Sequence, residues 1–350
     1  MICAPTVMFE APALDPAAEY APGVCGWALL DLAGQGALVF PDTGISRALT
    51  LPRARAEARL ALGDVAVGRV AVAAVRSGGD AGYIGIDGEA LVPEIQLAEA
   101  RAAWAPLGFA MAAGLVEDPW VAGADEAWGL RPLQASSGES AGWMDSSDLG
   151  GWLGWTSPRR VIALRVDVAS GEGARFRERN EGKNLAGTAT LRPVDTETSG
   201  LAFTVYGRDG SRGLGLARDH RLGVRASGRV PLGAAGVEGL AAWGVDGDAS
   251  RQPLGGSAWL VARPWGPLLA YGRVDLASEA LGQADAGTRV LLLGAGVELP
   301  SVARPPLRVV VGYTGTRVGA AVADVAGSTA LDNTDAVFLQ LGVTLETRPD

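Results

Sequence analysis

Residues 53–60 read Arg53-Ala54-Arg55-Ala56-Glu57-Ala58-Arg59-Leu60. Successive side chains of a β-strand point to opposite faces. An extended chain here therefore carries three Arg and a Glu on one face, and only Ala and Leu on the other. The split recurs downstream. In Arg221–Val230 the odd positions are charged or small and the even ones mostly apolar. In Leu201–Arg208, Leu201, Phe203 and Val205 oppose Thr204, Tyr206 and Arg208. Leu307, Val309, Val311 and Tyr313 share a face, as do Val337, Leu339, Leu341, Val343 and Leu345.

The spaces between these segments have a rhythm. Short connections fall at Ser157-Pro158, Pro193–Ser199, Pro231–Ala235, Pro264–Gly266 and Pro300–Pro306. They alternate with long ones at Ser170–Lys183, Asp209–Ala217, Asp246–Pro253, Ser278–Gly287 and Gly319–Thr334. Short turns on one rim and long loops on the other are the pattern of a membrane β-barrel, whose strands cross as tilted segments of roughly 9–11 residues. Earlier segments at Gly26–Phe40, Leu51–Leu62, Val65–Arg76, Glu94–Trp104 and Leu107–Glu117 bring the count to about 16, a size that leaves an aqueous lumen. The fold class is thus all-β, a transmembrane antiparallel up-and-down barrel over residues 25–350. Residues 1–24 are expected to form an N-terminal tail. Trp104, Trp152, Trp155, Trp259, Trp265 and Tyr313 sit near segment ends, as interfacial aromatic belts do.

One stretch breaks the rhythm: PWVAGADEAWGLRPLQASSGESAGWMDSSD, Pro119–Asp148. It is acidic, Gly-rich and Trp-bearing, with neither helical nor alternating periodicity. A long insertion of this kind in a compact domain is usually functional. It is expected to be the third long loop, folded into the lumen as a constriction.

Composition narrows the function. The chain of 350 residues holds 50 Gly and 20 Pro, yet 48% of its residues are hydrophobic, which is too apolar for a disordered chain. The net charge of −9 argues against nucleic acid as a partner. Lys183 is the only Lys, so positive charge is carried almost wholly by Arg, whose fork suits anion recognition. Cys3 and Cys25 make no disulfide framework. A single His and two Cys argue against a metal centre built on those ligands, and no cofactor is expected. No catalytic residue is expected either: a hydrolytic pair needs a base oriented beside a nucleophile, and nothing marks one around His220. Gly207, Gly210, Gly213 and Gly215 miss the dinucleotide-binding spacing.

The runs Ile95–Pro119 and Asp148–Pro193, with the terminal hairpin Arg308–Leu345, resemble the phosphate-selective porin O and P family. That resemblance implies a 16-stranded outer-membrane porin, usually trimeric, whose third loop narrows the pore. The sequence departs from the family at its end, Leu345-Glu346-Thr347-Arg348-Pro349-Asp350, which lacks a terminal aromatic residue. It also lacks the family's Lys-rich constriction.

In a porin, charges on the wall and loop set the field and pore width sets the size limit. The candidate pore-lining residues on the wall are Arg53, Arg55, Arg59, Arg69, Glu99 and Arg101, with Glu57 among them. On the loop they are Asp125, Glu126, Arg131, Glu139, Asp145 and Asp148. The function expected is passive diffusion of small hydrophilic solutes or ions across the bacterial outer membrane, by a protein in contact with lipid, with a homotrimer as the expected assembly. The alternative is a structural or adhesive barrel whose lumen is plugged and whose loops bind a partner.

Overall fold

The computed structural model describes residues 24–41, 46–62, 66–78, 89–104, 107–171, 182–212, 217–245, 252–278, 287–299, 307–318 and 334–347. The expected tail falls outside these residues except for Val24, which opens the first strand.

The strands are β1 (Val24–Pro41), β2 (Ser46–Leu62), β3 (Ala66–Gly78), β4 (Glu89–Trp104), β5 (Phe109–Glu117), β6 (Ser147–Thr156), β7 (Ile162–Ala169), β8 (Asn184–Asp195) and β9 (Gly200–Asp209). A small ribbon, β10 (Ser211–Arg212) with β11 (Ala217–Arg218), follows. Then come β12 (His220–Val230), β13 (Gly233–Trp243), β14 (Leu254–Ala262), β15 (Leu268–Ser278), β16 (Gly287–Leu299), β17 (Leu307–Val318) and β18 (Thr334–Thr347). Omitting the ribbon, sixteen strands form a closed antiparallel barrel in which each pairs with its neighbour in sequence. It closes where β1 meets β18, with Leu38 opposite Val337 and Gln35 opposite Gln340. Closure leaves no unpaired edge, which is the condition for a sheet to sit in lipid.

The period-two pattern does what it predicts. On β7, Ile162, Leu164, Val166 and Val168 face outward while Ala163, Arg165 and Asp167 are buried inward. The same outward band continues through Leu149, Leu153, Val205, Val224 and Val311, each more than half exposed. These side chains lie where acyl chains would cover them. Inside, the wall carries charge: Glu57, Arg69, Glu99, Arg225, Glu238 and Arg273 are all buried from bulk solvent. Two of the expected belt residues are misplaced by the sequence reading. Trp104 and Trp265 are exposed, at 65% and 74%, but Trp152 and Trp259 point into the lumen and are each 6% exposed. Their alternation with outward neighbours, not their nearness to a segment end, decides this.

The connection from β5 to β6 enters the lumen, as expected, but it is not structureless. It contains α1 (Pro119–Trp128) and a single turn α2 (Ser137–Ser140). Termini, not periodicity, specify α1. Asp118 caps it, its side chain accepting from Trp120 N at 2.8 Å and Val121 N at 3.2 Å. Pro119 stands in the first turn, where its missing N–H costs nothing. Gly129 ends it in the left-handed region at φ 68°.

Candidate functional site: the lumen and its inward loop

Four strands present a ladder of charge to the lumen. The register places Arg59 opposite Arg69, and Arg69 opposite Glu99. Glu57 accepts from three guanidinium groups, at 3.0 Å from Arg55 Nη2, 2.5 Å from Arg59 Nε and 2.9 Å from Arg69 Nε. Arg69 Nη1 reaches Glu99 at 3.0 Å, and Arg101 pairs with the same carboxylate. Glu117, at the end of β5, closes the set with Arg55 at 3.4 Å and Arg69 at 3.8 Å. Opposite charges alternate along β2 and β4, and the like-charged cross-strand pair Arg59–Arg69 is tolerated because both groups share Glu57. Arg53 is opposite Ala33 in the register, and its side chain lies outside the described residues.

The loop lies elsewhere, against the arc from β9 to β18. Two apolar clusters seat it. Trp120, Val121, Trp143 and Met144 pack with Tyr206, Leu240, Ala242 and Val245. Trp128 and Leu130 pack with Trp259, Val261, Leu269, Tyr271, Leu292, Val310 and Phe338. The Trp128 ring meets Trp259 at 5.8 Å and Tyr271 at 6.4 Å, both edge-on, a favoured aromatic arrangement. Polar side chains then pin the loop backbone. Arg225 donates to Trp120 O at 2.7 Å and to Glu238 at 2.9 Å, and its guanidinium lies 4.1 Å from the centre of the Trp120 ring. Arg221 donates to Trp143 O at 3.0 Å. Gln340 donates to Pro132 O at 2.8 Å. Gly123 faces Arg225: a Cβ there would stand 2.8 Å from Nη1, so this mid-helix position has no room for a side chain while the pin holds.

At the neck of the loop, Tyr206 donates to Asp118 at 3.2 Å. Burial pushes the Asp118 carboxyl above the usual range, against the opposing pull of Arg208 and the capped N–H groups.

The sequence-derived loop residues fall into different places. Asp125, Arg131 and Glu139 form one ion-paired group within the loop, with Arg131 Nη2 at 2.7 Å from Glu139 and Nη1 against Asp125. Glu126 lines a cavity of about 420 Å³ between α1 and the wall, shared with Arg165, Thr188, Ser227 and Arg225. Asp145 lines a small void at the neck. Asp148, on β6, accepts from Ser170 Oγ at 2.5 Å and from Gly171 N at 2.7 Å. His220 opens β12 with Nδ1 3.1 Å from Asp209, both partly or largely exposed. Sequence reasoning missed the seat itself: Trp120, Trp128, Tyr206, Arg225 and Gln340. The inward parity of Tyr206, Arg225 and Gln340 was readable, but Trp120 and Trp128 lie on a helix, and the partner of each lies far along the chain.

No family model matches the chain, and no curated protein matches it. Solved structures do. Salmonella typhi OmpF, in complex with daunomycin, superposes with a TM-score of 0.64 at 10% identity, over 93% of this chain and 97% of that one. Vibrio cholerae OmpT, in trimer form, gives 0.55 at 11% identity, over 92% and 99%. The Pseudomonas aeruginosa outer membrane protein OpdK gives 0.52 at 10% identity, over 92% and 99%. At such identities the likeness is one of fold. The chain has the barrel architecture of outer-membrane porins.

Proposed function

We propose that the protein is a channel of the bacterial outer membrane that lets small hydrophilic solutes and ions diffuse through a lumen narrowed by its inward loop. The observation that carries this reading is the division of the wall. The loop is fixed to β9–β18, and the ladder on β2–β5 is left facing the lumen. A fixed loop beside a charged wall is a constriction with a built-in transverse field, the arrangement by which pores select on charge and size. In this reading Arg55, Arg59, Arg69, Glu99 and Arg101 line the charged side, and Glu126 faces the cavity from the loop. Asp125, Arg131 and Glu139 hold the loop's shape, and Asp145 and Asp148 hold its neck.

The resemblance to phosphate-selective porins extends in this proposal to the barrel and its third loop. The solute class is assigned to an Arg–Glu wall, not to a Lys-rich ring. Lipid contact follows from the outward apolar band, and a homotrimer is the proposed assembly. Purified protein reconstituted in planar bilayers tests the function. Stable single-channel current steps are expected. Silence from heat-modifiable, well-folded barrels would instead favour the plugged, adhesive alternative.

A further inference from the structure

Trp152 is not explained by either the charged ladder or the loop seat. It projects inward from β6, between Ala112 on β5 and Asp167 on β7. Its ring is flanked by two guanidinium groups, Arg101 at 5.5 Å and Arg165 at 4.8 Å from the centre. Arg101 is the last rung of the ladder, paired to Glu99 and 4.0 Å from Glu117. Arg165 belongs to the other side. It pairs with Asp167, donates to Glu117 O at 2.8 Å, and lines the cavity between α1 and the wall with Arg192, Arg225, Arg229 and Arg263. The indole thus stands where two groups of arginines meet.

We propose that Trp152 is a positioning residue that joins the ladder and the cavity arginines into one continuous row of ion-paired arginines from β2 to β12. The face of an aromatic ring attracts a guanidinium group electrostatically, and Trp does so best. The ring lies within cation–π distance of both guanidinium groups, so Arg101, paired with Glu99, and Arg165, paired with Asp167, are held in those pairings and are not free to turn onto Asp118. Both stay presented to the lumen. The inference rests on the channel reading above, and extends it from which residues carry charge to what fixes where that charge stands. A plainer role is also available, since Trp152 packs with Ala112 and Val116. The two roles differ in what they control: packing governs stability, whereas positioning governs the sign of the field that a passing ion meets.

The test compares wild type, Trp152→Leu, Trp152→Phe and Arg165→Ala by reversal potential under a potassium chloride gradient in planar bilayers. Arg165→Ala is expected to shift the potential toward cation preference, because it leaves Asp167 unpaired. Trp152→Leu, which keeps apolar bulk but has no π face, is expected to shift it in the same direction by a smaller amount. Trp152→Phe should fall between Trp152→Leu and wild type. A wild-type potential in Trp152→Leu, or a shift toward anions, overturns the proposal. If Trp152→Leu fails to give a heat-modifiable barrel, Trp152→Phe decides: a cation-ward shift supports the proposal and the wild-type value overturns it. A silent wild-type protein would instead remove the channel reading itself, an outcome the variants cannot mimic.

Discussion

Between β2 and β5 the inward wall is a lattice of ion pairs, whereas from β9 to β18 it carries two apolar clusters with buried charges such as Arg225, Glu238 and Arg273 among them. Both arcs obey the same alternation, and both turn Leu, Val and Ala toward the membrane. They differ in what covers the inside. Leu240, Trp259, Val261, Leu269, Leu292, Val310 and Phe338 can face inward only because Trp120, Trp128, Leu130 and Trp143 come down from the loop to meet them. Arg55, Arg59, Arg69 and Arg101 need no such cover, because Glu57, Glu99 and Glu117 partner them in place. The comparison teaches that the loop is an internal element of the fold, with its position set by apolar burial, and that the open lumen is what remains beside it.

The covered arc should break first. Replacing Trp128 with Ala removes the indole at the centre of the larger cluster, and such truncations cost about 3–5 kcal/mol. Thermal unfolding on gels should show the drop, and single-channel conductance should rise as the loop loosens. The open arc should respond differently. Glu57→Ala removes a carboxylate shared by three guanidinium groups, leaving Arg55 and Arg69 to Glu117 and Glu99, and breaking a buried ion pair from one side costs about 3–5 kcal/mol. Its distinguishing effect should be a reversal potential shifted toward anions, without the conductance gain of the Trp128 variant.

Smaller effects sharpen the contrast at the neck. Asp118→Ala deletes a helix cap, worth about 1 kcal/mol, whereas Asp118→Asn keeps the acceptor and should cost much less. Loop protection from proteases in detergent reports the difference. The pH dependence has a definite sign. Burial raises the folded-state pKa of Asp118, so its contribution to stability is present at low pH and is lost as pH rises through that raised value. Wild type should therefore lose ground to Asp118→Asn as the pH increases, measured as the difference between their thermal midpoints.

Much of the barrel was legible because its signals are local. Arg53–Leu60 declares two faces within eight residues, and Pro-marked turns such as Pro231 and Pro264 mark one rim. The direction of Trp152 and Trp259 was not read correctly, because nearness to a strand end was weighed above parity. The helix at Pro119–Trp128 was missed for a related reason. Its evidence is an Asp-Pro start and a Gly stop, not an apolar stripe, and its exposed and buried faces are set by a wall far along the chain. The ladder's residue types were visible, but the sharing of Glu57 among Arg55, Arg59 and Arg69 depends on register between β2 and β3, which the sequence alone does not state.

The central claim is that the loop permanently covers one arc and leaves a water-filled path beside it. Single cysteines at Ser227, in the cavity, and at Leu292, beneath the loop, test it most directly in a background without Cys3 and Cys25. A charged, water-soluble thiol reagent added during bilayer recording should reduce the current through the Ser227→Cys channel and leave the Leu292→Cys channel unchanged. Equal modification at both positions, or none at Ser227, would contradict it.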